Sequence, residues 1–112
     1  MRARRLSELV ELMQPAAVEV VGDDTVVGPD VVLDNRKATP GSLFVAIPGS
    51  RVDGHSFAPQ AVAAGAAAVL GHFVTEADVP HILVEDAVQG LSWLARGLVR
   101  EERVRGMVSL GV

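Results

Sequence analysis

The chain has 112 residues, 49% hydrophobic and 21% charged, with 14 acidic against 10 basic side chains and no cysteine. That is enough for one packed domain; a net charge of −4 lacks the basic surplus of a nucleic-acid surface, and the missing thiols exclude disulfides and thiol chemistry and point to the cytoplasm. No apolar run approaches the ~20 residues of a membrane span, and the first residues lack the apolar segment of a signal peptide. With one Trp, three Phe and no Tyr, alanine and valine must fill the interior. Tight layers of sheet and helix suit such a composition.

The arginines Arg2, Arg4 and Arg5 read as a solvated N-terminus. Leu6, Leu9, Val10, Leu12 and Met13 make one helical stripe, begun by Ser7 or the arginines and ended by Pro15. Val18–Val21 is a β-branched strand stopped by Gly22-Asp23-Asp24, Thr25–Val27 is a shorter one, and Val31–Leu33 is a third. Ser42–Ile47 is unbroken and apolar, as expected of a strand buried on both faces. Ser56 is the expected cap of the next helix, with Pro59 in its first turn and Gly65 at its end. Ala67–Leu70 and His81–Val84 are strands. Asp86 caps a last helix, with Gln89 three residues on, and Ala87, Val88, Leu91, Leu94, Ala95 and Leu98 along one face. Gly106–Val112 reads as a final strand that stops without a polar exit, as if cut from a longer chain. Helices alternating with short apolar strands predict an α/β fold, a small mixed sheet flanked by helices, in one domain over residues 1–112.

The polar residues gather in two places. Asp34, Asn35 and Arg36 either hydrogen-bond a ligand or form a turn with an internal ion pair; the fork of Arg36 suits a carboxylate or phosphate. Pro48-Gly49 and Gly54 form either an anion-binding turn ahead of a helix or a plain β-to-α connection. Neither GxGxxG nor GxxxxGK[ST] is present. Asp53 and His55 read as structural caps rather than an acid–base pair. His72 and His81 stand isolated and make a poor metal site. Trp93, off the helix stripe, is expected against a loop or a neighbouring domain.

Four ordered segments, "LDNR", "PGSLFVAIPG", "DGHSF" and "AVAAGAAAVL", resemble the N-terminal domain of the muramyl ligases of peptidoglycan synthesis. There the pattern is roughly D-S-R, P-G-D-L-F-V-A-L-x-G, D-G-H-x-F and A-x-x-x-G-A-x-A-V. Asn35 stands where serine is usual, and Ser42 where aspartate is usual. The resemblance implies a three-domain ligase that joins an amino acid or dipeptide to a UDP-N-acetylmuramoyl peptide. ATP and Mg would serve the whole enzyme through a phosphate loop following this stretch; no cofactor and no catalytic residue is implied for the stretch itself. It implies that Leu33 and Asn35 contact the uracil or ribose end, and that Ser50, Arg51 and Val52 approach the nucleotide. Asp34, Arg36, Gly49, Asp53, Gly54 and His55 would shape the pocket. Among such ligases the one adding diaminopimelate or lysine as third peptide residue fits first. The D-alanyl-D-alanine ligase is the alternative, and a stand-alone nucleotide-binding module is a further one.

Overall fold

Leu43-Phe44-Val45 is apolar at every position, and so it lies where both faces of a sheet are covered. A computed structural model describes residues 2–14, 18–28, 30–49 and 53–110. Its strands are β1 (Arg4–Arg5), β2 (Val18–Val21), β3 (Val26–Val27), β4 (Val31–Val32), β5 (Leu43–Val45), β6 (Ala68–Gly71) and β7 (His81–Val84). Its α-helices are α1 (Leu6–Leu12), α2 (Ala58–Ala63) and α3 (Ala87–Leu110), with 3₁₀ turns at Asn35–Lys37 and Gly54–Phe57. The main sheet has the order β2-β7-β6-β5-β4. Strands β4 to β7 run parallel, and β2 is antiparallel to β7. The mixed sheet flanked by helices is the expected fold.

Alternation along β5 sorts the core into two layers. Leu43 and Val45 join Leu6, Leu9, Met13, Leu70, Ile82 and Leu94 beneath α1 and α3. Phe44 and Ala46 face the other way, into Ala58, Ala61, Ala66 and Val69 beneath α2. Phe44 and Val45 are each 1% exposed. Burying one such side chain contributes about 1.5–3 kcal/mol.

Several expectations are corrected. The N-terminal arginines are not simply solvated: Arg4 and Arg5 form β1, paired with Val26 and Val27. The alternation this imposes turns Arg4 inward, where its guanidinium meets the Glu101 carboxylate of α3 at 2.6 Å. Arg5, pointing outward, caps α1, and Glu8 accepts its N–H. Ser7 is spent on Asp24 instead. Pro15 lies outside the described residues. Ser56 is no cap either: its hydroxyl donates to the Asp53 carbonyl, and the carboxylate of Asp53 caps the 3₁₀ turn that leads into α2.

Asp86 does cap α3, accepting the Gln89 N–H at 3.0 Å. Of the expected face of α3, Ala87, Leu91, Leu94 and Leu98 do pack on the core, but Val88 and Ala95 do not. Val88 is 60% exposed and Ala95 is exposed, while Gly90 and Gly97 are buried alongside Ala87 and Leu94. A Cβ on Gly97 would lie 2.3 Å from the Leu12 carbonyl oxygen; α1 approaches too closely for a side chain. Arg96 stacks over Trp93, 5.1 Å from the ring centre, so part of the indole is covered from within its own helix. Finally, α3 continues to Leu110, through most of the expected terminal strand; Gly111 and Val112 lie outside the described residues. A strand needs a neighbour to take its N–H and C=O groups, whereas a helix closes its own.

Candidate functional site at the carboxyl ends of the parallel strands

Open α/β sheets bind ligands beyond the carboxyl ends of their strands. Here β4, β5, β6 and β7 all end on one side, and four segments leave there. The segments after β4 and β5, neighbours in the sheet, carry both polar motifs read from the sequence.

After β4 the chain passes Leu33, which is 53% exposed, and enters the 3₁₀ turn. One Asp34 oxygen accepts the Arg36 backbone N–H at 2.9 Å and Arg36 Nε at 3.1 Å. The other accepts Arg36 Nη2 at 2.8 Å. The turn with an internal ion pair is therefore the local structure. Hydrogen bonds from the Arg36 side chain and backbone lower the Asp34 pKa to about 2. Asp34 thus takes the Nε and Nη2 donors of the guanidinium, although the Arg36 side chain is exposed. Asn35, between them, is half-buried.

The segment after β5 closes on itself. Pro48 bridges to Asp53, and the Gly54 N–H donates to the Ile47 carbonyl at 3.0 Å. A Cβ on Gly54 would lie 2.7 Å from both Ile47 N and O. Gly54 thus serves close backbone approach, and its N–H is not free to receive an anion. Gly49 is exposed. Ser50, Arg51 and Val52 lie outside the described residues.

Asp53 and His55 repeat the device seen after β4. The Asp53 carboxylate accepts the His55 backbone N–H at 2.9 Å and meets Nδ1 at 2.6 Å. Those bonds, the backbone one first, hold the Asp53 carboxyl below its ordinary pKa. The capping reading of this pair stands. What the sequence did not disclose is where the ring goes. His55 is buried; its Nε2 accepts the His72 backbone N–H at 2.8 Å, and its face stacks on Phe73 at 3.9 Å and 14°. His72, read as isolated, sits edge-on to it at 5.6 Å and accepts the Ala87 N–H at 2.9 Å through Nε2. His81 is buried between the Val79 carbonyl and Thr75, and burial pushes its pKa down. Only the adjacent Gly71-His72, ending an apolar strand, hinted at a tight approach. Asp53, His55, Ser56, Pro59 and Phe73–Glu76 line an open cleft of about 520 Å³.

A family model described as "Mur ligase family, catalytic domain" matches residues 30–98, which is more than half of the chain. The chain belongs to the Mur ligase family. Over 81 residues it is 43% identical to the UDP-N-acetylmuramoyl-L-alanyl-D-glutamate–2,6-diaminopimelate ligase of Agrobacterium fabrum, covering 70% of this chain and 15% of that protein. Over 105 residues it is 38% identical to the UDP-N-acetylmuramoyl-tripeptide–D-alanyl-D-alanine ligase of Escherichia coli, covering 94% of this chain and 22% of that one. The crystal structure of MurF from Acinetobacter baumannii superposes with a TM-score of 0.68 at 24% identity, over 84% of this chain and 20% of that chain; this is a likeness of fold. This Mur ligase chain thus spans 15% to 22% of the length of these two curated relatives.

Proposed function

We propose that this chain forms the uridine-diphosphate-binding domain of a peptidoglycan-precursor ligase acting in the cytoplasm. Its substrate would be UDP-N-acetylmuramoyl-L-Ala-D-Glu, to which the enzyme adds diaminopimelate or lysine. The observation that carries this reading is the delivery of two motif segments, Leu33–Arg36 and the loop based on Pro48 and Asp53, from neighbouring strand ends. Leu33 offers an exposed apolar surface to a planar base. Asn35 offers one donor group and one acceptor. Asp34, Arg36, Asp53 and His55 are committed to one another and support the site rather than touch the ligand. Gly49 and Ser50–Val52 are assigned to the nucleotide side.

ATP and Mg do not fit this stretch. Its sequence has no GxxxxGK[ST] loop, and no three His, Cys, Asp or Glu side chains gather to hold a metal among the described residues. In this reading, carboxylate activation and the choice of incoming amine belong to other parts of the enzyme, and the 112-residue chain turns over no ATP.

Relatives such as the Agrobacterium enzyme support the third-residue step. The D-alanyl-D-alanine ligase remains the second reading, because the Escherichia coli enzyme aligns over 94% of the chain. Ligation assays on the product of the complete reading frame separate the two. One pairs UDP-N-acetylmuramoyl dipeptide with diaminopimelate or lysine, the other UDP-N-acetylmuramoyl tripeptide with D-alanyl-D-alanine. The seat itself is tested by titrating the labelled chain with UDP-N-acetylmuramoyl dipeptide. Amide shifts are expected at Leu33–Arg36 and Gly49–Val52. Asn35→Leu should weaken binding by about 1–3 kcal/mol, the cost of unpaired buried groups. Shifts elsewhere only, or undiminished binding by that variant, would overturn the assignment.

A further inference from the structure

We propose that His81 is a proton-operated latch on residues 73–76, one wall of the open cleft: while its Nε2 is bare the ring holds Thr75 in place, and a proton on Nε2 lets Thr75 go. The latch needs no bound ligand and stands independently of the proposed function.

The segment between β6 and β7 is tied down by side chains. Among the described residues, 73–79 make no backbone-to-backbone hydrogen bond. Phe73 stacks on His55 at one end, and Ala77 is buried toward the other. Between them Thr75 is fixed by His81, which is 2% exposed. Alternation along β7 sends Ile82 beneath α1 and α3 and His81 to the opposite face, beside Val69 of β6. There only one tautomer fits the ring. A carbonyl can only accept, so Nδ1, 2.8 Å from the Val79 oxygen, carries the proton. A backbone N–H can only donate, so Nε2, 3.1 Å from the Thr75 nitrogen, is bare. The Thr75 hydroxyl donates to the same Nε2 at 2.7 Å and accepts the Ala77 N–H at 3.2 Å.

A proton on Nε2 breaks this arrangement. The hydroxyl can answer by turning from donor to acceptor. The Thr75 N–H cannot, and is left facing another N–H with no acceptor. The Val79 bond survives either way, so the centre of the wall is held only while the ring is neutral. Burial favours that neutral state most, the Val79 carbonyl opposes it and His55 adds to it. Of the elements around the ring, β6 and α2 bring no charged side chain. From β2 comes Glu19, on the His81 face two rungs along, with Asp23 just beyond; the segment itself carries Glu76 and Asp78, and Glu85 follows β7. All five carboxylates are exposed, and among the described residues none pairs with His81. Asp53 is bonded to His55, and the His72 ring is taken by the Ala87 N–H.

The test follows ring and amides together by nitrogen-15 NMR of the chain from pH 7.5 to pH 4.5, with circular dichroism reporting the fold. At pH 7.5 His81 should be the Nδ1–H tautomer; an Nε2–H ring overturns the latch. As pH falls below about 6.5, the Thr75 amide should shift with the midpoint of the His81 ring. Its hydrogen exchange, corrected for pH, should accelerate about tenfold, as for one lost hydrogen bond, while the Leu70 amide in β6 stays protected. A ring that gains its proton with the Thr75 amide unmoved refutes the proposal, and so does a ring that stays neutral until the chain unfolds. His81→Phe has no proton to take up, so the Thr75 step should vanish; a step that persists in it counts against the latch. Should H81F not fold, Thr75→Val takes its place. It keeps the N–H and removes the hydroxyl, whose bond to the charged ring is the stronger one, so ring and amide midpoints should move together to lower pH; midpoints that part from one another overturn the coupling. Glu76→Gln should leave the step in place, and its disappearance would assign the step to that carboxylate instead of His81.

Discussion

Replacing Phe44 with alanine tests the layer of core beneath α2. Large-to-small changes at buried phenylalanines cost about 3–5 kcal/mol, depending on how far the surroundings collapse into the space. Here they can collapse little. The ring is 1% exposed, and four of the buried residues in its layer are Ala46, Ala58, Ala61 and Ala66, none of which has a rotamer to turn. The backbone is held too, since β5 is paired on one side to β4 and on the other to β6. The loss should therefore fall in the upper half of the range, about 4–5 kcal/mol, against a total stability of about 5–15 kcal/mol for a domain. Urea unfolding followed by circular dichroism in the cold measures it, with Val88→Ala on the exposed side of α3 as control, expected within about 0.5 kcal/mol of the parent. A loss below about 1.5 kcal/mol at unchanged m-value would show that this layer relaxes, and the argument from alanine rigidity would be wrong.

Gly97→Ala should destabilise, although alanine is the better helix former by about 1 kcal/mol. Its methyl would meet the Leu12 carbonyl at 2.3 Å, and overpacking costs about 1–3 kcal/mol; a raised melting temperature would refute the close crossing of α1 and α3. The Asp34 carboxyl should titrate at about 2 by carbon NMR, and Arg36→Ala should return it toward the ordinary value of about 3.9. Because the folded pKa is the lower one, the pair's contribution is complete above about pH 3.9 and disappears as pH falls through about 2. His81 is lowered by burial, so between its folded pKa and the ordinary value of about 6.5 the unfolded chain binds the extra proton. Its contribution is complete above about pH 6.5 and is lost as pH falls below that. The urea midpoint should therefore drop from pH 7.5 to pH 5.5 partly through this ring, and an NMR titration placing His81 at or above 6.5 would contradict the sign.

Much of the fold was legible because its signals are local. The stripe from Leu6 to Met13, the run around Phe44 and the β-branched pairs at Val18–Val21 and His81–Val84 each announce their period within a few residues. The misreadings share a different cause. Arg4 looks like surface until β1 pairs with Val27 and Glu101, nearly the whole chain away, comes to meet it. Gly90 and Gly97 look like interruptions of a helix, and Val88 and Ala95 like its apolar face, until α1 is laid against α3. The terminal segment has strand composition, but composition does not supply a partner strand. In each case the deciding contact joins residues far apart in sequence, where periodicity carries no information.

The site shows the same division inside one motif. Asp34-Asn35-Arg36 and Asp53-Gly54-His55 are two copies of one device: an aspartate at the head of a 3₁₀ turn takes both the backbone N–H and the side chain of the residue two positions on. That much follows from local chemistry, since aspartate favours such turns. What the two copies do differs through burial alone. The Arg36 side chain is 84% exposed, so its pair holds a surface turn and leaves the middle residue, Asn35, as the group with hydrogen-bonding capacity to offer. The His55 side chain is 3% exposed and is gripped from β6, and its middle residue, Gly54, is pressed onto the Ile47 backbone. Nothing in the second copy can face a ligand through a side chain at the middle position.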